Sequence, residues 1–249
     1  MNDSQGTRIN KYLSEVGFCS RRAADKLIEE GKVTINGKVP EMGTKIQPGD
    51  EVRVQGKLIS PPKEEHVYIA FNKPVGIVCT TDTKAEKDNI IDYIGHPKRI
   101  FPIGRLDKPS EGLILLTSDG DIVNKILRAR NNHEKEYIVT VDRMITSDFI
   151  KKMGNGIPIL GTMTNPCEVE ALGKYKFRII LTQGLNRQIR RMCEYLGYNV
   201  TKLKRIRIMN IPLDLPIGQW RDLSEKEMQE INRLLADSAK THEEEPRKN

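Results

Sequence analysis

The sequence has little of what staples small folds or holds metals. Its four cysteines, Cys19, Cys79, Cys167 and Cys193, lie far apart and show no C-x-x-C spacing. That argues against a disulfide framework and against a zinc ribbon or finger, and leaves four free thiols. The four histidines, His66, His96, His133 and His242, are equally scattered. No histidine-based metal site is suggested, and no metal is expected. No stretch approaches the roughly 18 to 20 apolar residues that a membrane helix needs. The N-terminal MNDSQGTRINK has no apolar run, so neither a signal peptide nor a membrane partner is expected, and the protein is expected in the cytoplasm. No internal repeat is visible.

What is there begins with size and charge. A chain of 249 residues has room for a sizeable core and for more than one domain. Hydrophobic residues make up 37% and charged residues 30%, the balance of a soluble fold with a large solvated surface. The formal net charge of +7 is unevenly spread. Arg187, Arg190, Arg191, Lys202, Lys204, Arg205 and Arg207 fall within one short region whose only acid is Glu194. A basic block is usually a solvated face. One this focused, with helical and strand patterning, points to a surface for a polyanion.

Residues 7–54 read as a small module. Thr7 can cap a helix with Ile9, Tyr12, Leu13 and Val16 on one face, stopped by Gly17. Ser20 caps a second helix with Ala23, Ala24, Leu27 and Ile28 inward. Arg21, Arg22 and Lys26 mark its outer face, and Arg8 and Lys11 sit near the start of the first helix. Asn36-Gly37 between Lys32–Ile35 and Lys38-Val39 is a hairpin signal. Pro48-Gly49-Asp50 turns the chain into a strand over 51–54. The polar, proline-broken stretch QGKLISPPKEE reads as a linker.

Beyond it, strands are expected over 67–71 and 77–81. Next comes FPIGRLDKPSEGLILLT, residues 101–117. A turn-prone Pro102-Ile103-Gly104 leads to Arg105-Leu106-Asp107 in a loop, ahead of the buried run Leu113–Leu116. Gly104 and Gly112 bracket a shelf that carries a carboxylate. On residue type alone, an Arg-x-Asp in a loop is most often a local ion pair, and Asp107 with Glu111 leaves a two-carboxylate hydrolase open. A helix follows with Ile122, Val123, Ile126 and Leu127 inward. His133-Glu134-Lys135-Glu136 is a charged approach to a strand that begins at Tyr137, whose ordinary role is that of a core or edge aromatic. Ser147 is expected to cap the helix after that strand. Ile189, Met192, Cys193 and Leu196 form a buried helix face with Arg187, Arg190 and Arg191 on its flanks. A basic strand over 202–211 and a last helix from Ser224 to about Leu235 complete the pattern.

Two resemblances arise from these motifs. The segment RINKYLSEVGFCSRRAADKLIEEGKVTINGK, closed by PGDEV, resembles the S4 RNA-binding domain. Gly104-Arg105-Leu106-Asp107 with Ser110 and Gly112-Leu113, then Lys135-Glu136-Tyr137, then Asn186-Arg187-Gln188-Ile189-Arg190-Arg191-Met192, in this order behind an S4 module, resemble the pseudouridine synthases of the branch that modifies ribosomal RNA. The likeness runs from about Thr7 to Leu223. It implies an α+β fold: an N-terminal, αL-like S4 domain over 1–55, a linker over 56–65 and a catalytic domain over 66–235. That domain would hold a long mixed, mainly antiparallel sheet flanked by helices, with the cleft across its middle. Residues 236–249 are expected to be a disordered tail.

The resemblance implies that Asp107 is the catalytic aspartate, that Tyr137 stacks on the target base and that Arg190 pairs with the carboxylate. Arg105 would help hold the nucleotide out of its stack. Arg187, Arg191, Lys202, Lys204, Arg205 and Arg207 would hold phosphates, and Arg8, Lys11, Arg21, Arg22 and Lys26 would contact RNA from the S4 module. The implied partner is 23S ribosomal RNA, with a tRNA as a second candidate, acted on by a monomer. Isomerising uridine only rearranges atoms, so no cofactor is expected. An ionised carboxylate can act as nucleophile or base at the sugar, and a neighbouring guanidinium favours the ionised form. The target base must first leave its stack.

Overall fold

The computed structural model describes residues 6–60, 66–127 and 133–236. The chain divides into two compact units, Met1–Val67 with Ser118–Gly120, and Tyr68–Thr117 with Asp121–Asn249.

The first unit contains β1 (Thr7–Arg8), α1 (Ile9–Glu15), α2 (Arg21–Glu29), β2 (Val33–Ile35), β3 (Lys45–Ile46), β4 (Val52–Val54) and β5 (Lys57–Ile59). Helical spacing puts Ile9 and Leu13 of α1, and Ala24 and Ile28 of α2, onto one core with Val33, Val52, Val54 and Ile59. Ser20 caps α2 by accepting the Ala23 amide at 3.2 Å. Ala23 itself is exposed, one position off the buried stripe.

Several local expectations yield to pairings distant in sequence. Thr7 does not cap α1. It pairs with Ile46 in β3, a placement that suits a β-branched residue, and Arg8 takes the cap position without a side-chain bond. Asn36 and Gly37 form the tight turn, both at positive φ (50° and 79°). Beyond that turn, however, only the Ile35–Lys38 bridge closes, and β2 pairs with β4. The segment expected as a linker starts as a hairpin. Gln55 and Gly56 turn, and β5 pairs antiparallel with β4 and buries Ile59. Residues 61–65 of that linker, and 237–249 of the expected tail, lie outside the described residues.

The second unit contains β6 (Tyr68–Lys73), α3 (Ile90–Ile94), β7 (Phe101–Ile103), β8 (Glu111–Thr117), α4 (Gly120–Leu127), β9 (Lys135–Val141) and α5 (Ser147–Asn155). Then come β10 (Pro158–Ile159), β11 (Thr162–Met163), β12 (Glu168–Gly173), β13 (Lys176–Leu181), α6 (Gln188–Tyr195), β14 (Val200–Ile208), β15 (Ile211–Pro212), β16 (Trp220–Asp222) and α7 (Glu225–Leu235). Among the described residues one sheet runs β12-β13-β9-β14-β8-β6-β16, with β15 on β14 and β7 on β8. Its pairings are antiparallel except β14 with β8. The fold is α+β, with a large mixed, mainly antiparallel sheet.

The run Leu113–Leu116 is apolar at every position because both faces of β8 are covered. On one face Leu113 and Leu115 pack with Ile122 and Ile126 of α4 and with Ile231 and Leu235 of α7. Ser224 opens α7 with a full capping box to Glu227.

Here too the structure departs from local reading. Residues 77–81 are not a strand: Val78 makes one bridge to Asn89, and Cys79 is used elsewhere. The turn-prone Pro102-Ile103 belongs to β7, paired with β8. Thr146, one residue earlier than Ser147, caps α5. Among the described residues no helix is long and apolar enough to cross a membrane.

Candidate active site

The shelf ahead of β8 is held from three sides. The Asp107 carbonyl accepts the Ser110 amide at 3.0 Å, the Lys108 carbonyl accepts the Gly76 amide at 2.8 Å, and the Leu106 amide donates to Cys79 Sγ at 3.3 Å. Burial pushes the Cys79 thiol pKa up, so it stays a neutral acceptor here. Gly112 is required where β8 meets β14 in parallel. Its φ is +107°, and an added Cβ would overlap the Arg205 carbonyl and lie 2.7 Å from its amide nitrogen.

Asp107 faces a cleft of about 570 Å³ over the central strands β8, β9 and β14. Its carboxylate lies 3.6 Å from Arg190 Nε and 3.9 Å from Arg187 Nη1. Both arginines come from the start of α6. Arg187 occupies the cap in the left-handed region (φ 50°, ψ 34°), a conformation held by Gln188. The Gln188 side chain accepts the Leu185 amide at 3.0 Å and reaches Gln183 Oε1 at 3.4 Å. Arg190 is buried. Its Nη2 donates to Ser110 Oγ (3.0 Å) and the Pro109 carbonyl (3.2 Å), and its Nη1 donates to the Val200 carbonyl (3.3 Å). Burial lowers its pKa and the Asp107 charge opposes that shift. A guanidinium remains charged in either case. Arg190 therefore ties the Asp107 loop to α6 and the start of β14.

The floor of the cleft is made by Tyr137, Lys135 and Arg205. Alternation along β9 puts Lys135 and Tyr137 on one buried face, and Arg205 is the register partner of Tyr137 across β14. The Arg205 guanidinium lies 5.9 Å from the centre of the Tyr137 ring. Among the described residues, Asp107 is the one carboxylate lining the cleft, against six cations: Arg105, Lys108, Lys135, Arg187, Arg190 and Arg205. Glu111 does not line it, which removes the partner that a two-carboxylate hydrolase would need.

The structure thus brings Asp107, Tyr137, Arg190, Arg105, Arg187 and Arg205 to one cleft. It splits the rest of the basic block. Arg205 is only 4% exposed, and its Nε donates to the Leu113 carbonyl at 2.6 Å, so it offers no surface contact to a phosphate. An irregularity between Arg205 and Arg207 turns the strand. Arg207 instead pairs with Glu134 (2.9 Å) and Glu136 (2.6 Å), which already satisfy its charge. Arg191 binds Asn186 and lies outside the cleft lining, as do Lys202 (exposed) and Lys204 (half-buried). In the first unit Arg8, Arg21, Arg22 and Lys26 are exposed, with Lys26 3.9 Å from Glu30. Lys11 is half-buried and 3.0 Å from Glu15.

Sequence reasoning gave no role to Lys135 and Ser110, which it named only within the motifs, and did not single out Cys79 or Lys73. Lys73 is fully buried and donates to the Pro74 and Ile77 carbonyls at 2.9 and 2.8 Å, bracing the segment before Cys79. Leu127, expected inward, is exposed at the cleft wall, 2.9 Å from where a Gly104 Cβ would stand.

Comparison with known proteins is consistent along the chain. Residues 67–195 match the family model described as RNA pseudouridylate synthase, and residues 7–52 match the S4 domain. The chain is similar to the dual-specificity RNA pseudouridine synthase RluF of Salmonella typhi, 59% identical over 94% of this chain and 81% of that protein. It is 35% identical to the ribosomal large subunit pseudouridine synthase B of Bacillus subtilis (strain 168), over 94% of this chain and 98% of that one. A crystal structure of a pseudouridylate synthase, 30% identical, superposes with a TM-score of 0.67 over 90% of this chain and 99% of that chain.

Proposed function

The chain belongs to the RNA pseudouridylate synthase family, as an RluF-like, S4-containing isomerase acting on RNA, and from that premise we propose that Asp107 is its catalytic carboxylate and a uridine of 23S ribosomal RNA its target. The observation that carries this reading is the charge pattern of the cleft: one carboxylate, set between two guanidiniums, in a pocket whose other charged lining residues are all cations. A polyanion is drawn to such a pocket, and the single carboxylate is left as the group able to act at the sugar.

In this account the target nucleotide leaves its stack and its base lies against Tyr137. Arg105, exposed at the cleft wall, helps hold it there. Asp107 acts at the ribose as nucleophile or base, the C1′–N1 bond breaks, the base turns, and C5 joins C1′. Carbon C5 loses its proton and N1 gains one, so the product is an isomer. Arg190 holds the carboxylate in place through its bonds to Pro109 and Ser110. Arg187, Arg191, Lys202 and Lys204 hold phosphates, and Arg8, Lys11, Arg21, Arg22 and Lys26 contact RNA from the S4 domain. Support for the substrate comes from the ribosomal large subunit in one relative's name; the dual specificity in another's is consistent with a second RNA substrate, for which tRNA is our candidate. We assign the activity to a cytoplasmic monomer.

Release of tritium from RNA labelled at uridine C5 tests the proposal. Release is expected from 23S ribosomal RNA, with tRNA as the second arm. Release from tRNA alone would overturn the ribosomal assignment.

A further inference from the structure

Lys135 and Arg205 have no assigned role, yet both are buried in the lining of the cleft. They are 8% and 4% exposed. Among the described residues, the one hydrogen bond of the Lys135 ammonium is to the His133 carbonyl at 3.2 Å. Arg205 uses Nε on the Leu113 carbonyl, and its Nη2 is buried with no partner. The ion pairs of the cleft carboxylate Asp107 go to Arg187 and Arg190 instead. The Lys135 pKa is held down to about 8 by burial and by the Arg205 charge, as expected where no protein anion compensates. Leaving a buried donor unpaired is unfavourable, and more so for a charged one. Such a site fits an acceptor that arrives with the ligand.

The chemistry of that acceptor follows from position. Arg205 lies against the Tyr137 ring and Lys135 is on the same buried face of β9 as Tyr137, whereas Arg105, Lys108 and Arg187 are the exposed cations of the cleft. A group on the floor meets the base. Uracil carries carbonyl acceptors at O2 and O4, and cytosine replaces the second with an amino donor. Two cationic donors donate to a carbonyl oxygen, and at the O4 position they also repel the amino group of cytosine. When C1′–N1 breaks, its electron pair stays on the uracil and spreads to N1, O2 and O4. Donors already aimed at one of these oxygens stabilise that charge without reorganisation.

We propose that Lys135 and Arg205 are a donor pair that binds an exocyclic carbonyl oxygen of the target uracil and holds the charge it acquires on leaving the sugar. This rests on the reading that the cleft takes the target uridine.

The test compares wild type, Lys135→Met, Lys135→Arg and Asp107→Asn in single-turnover pseudouridine formation. The substrates are RNAs with uridine, 2-thiouridine or 4-thiouridine at the target, since sulfur is a poorer acceptor. Wild type is expected to slow on one of the two thio substrates. Lys135→Met is expected to lose roughly 10²-fold in rate on uridine and to lose that thio sensitivity. Lys135→Arg, which keeps donors, is expected to recover most of the rate and the sensitivity. Circular dichroism of each variant confirms folding, and if Lys135→Met does not fold, Lys135→Arg against wild type carries the comparison. The proposal is overturned if Lys135→Met turns over at the wild-type rate. It is equally overturned if wild type ignores both thio substitutions, or if a slowed variant keeps the wild-type sensitivity. Activity in Asp107→Asn would mark failure of the underlying reading instead.

Discussion

Replacing Arg190 with lysine keeps the charge and removes the fork. Arg190 spans three acceptors, Ser110 Oγ, the Pro109 carbonyl and the Val200 carbonyl, at 3.0, 3.2 and 3.3 Å. The first two belong to the Asp107 loop and the third opens β14. One ammonium cannot serve both places, so about two bonds are lost. At about 1–2 kcal/mol each for a charged donor with buried acceptors, the loss is roughly 2–4 kcal/mol. For a unit of this size that is a fall of about 5–15 °C in melting temperature. Trp220, the sole tryptophan, lies in β16 and reports on unfolding of the second unit by fluorescence. Asp107 also loses its closest guanidinium, and a misplaced reacting group can cost about 10²-fold in rate. Urea unfolding followed at Trp220, with single-turnover pseudouridine formation at a temperature where the variant is folded, measures both. A variant within about 0.5 kcal/mol of wild type would refute the three-acceptor role. A destabilised variant with the wild-type rate would refute the positioning of Asp107.

Two further outcomes follow from the same geometry. Gly112→Ala forces a Cβ into the Arg205 backbone at a φ of +107° and is expected to cost roughly 2–5 kcal/mol, read as a lowered urea midpoint; an unchanged midpoint would contradict the close approach of β8 and β14. The Glu227 carboxyl is held down to about 2, first by Arg221 and then by the Ser224 donors. Its folded pKa lies below the ordinary 4.5, so its contribution is complete above about pH 4.5 and is lost as pH falls toward 2. Glu227→Gln is expected to lack that acid-linked loss, on the order of 3 kcal/mol at most. Urea midpoints at pH 6 and pH 3 that fall equally in both proteins would contradict it.

Much of the local structure was legible because its causes are local. Ser20 and Ser224 cap helices through bonds to residues three positions away. Leu113–Leu116 announces a strand covered on both faces. What could not be read depends on partners far along the chain. Thr7 has a capping side chain, but its strand partner is Ile46. Lys57–Ile59 looks like linker until β4 supplies a neighbour. The site shows the same division. Asp107, Tyr137 and Arg190 were singled out by motif, and the structure sets them around one cleft. Arg205 looked like one more surface cation in a basic run. Strand alternation and the neighbouring Gly112 place it in the interior, against Tyr137. Lys135 looked like part of a charged approach. It stood in the Lys135-Glu136-Tyr137 motif, and its two-residue spacing from Tyr137, the repeat of a strand face, was the physical signal that it shares the buried face.

The measurement closest to the central claim is pseudouridine formation by Asp107→Asn under single turnover, with RNA affinity measured on the same samples. The account expects wild type to convert its target and the variant to form no product, with RNA affinity kept within a few-fold because the cations of the cleft are untouched. Pseudouridine formed by the variant near the wild-type rate would contradict it.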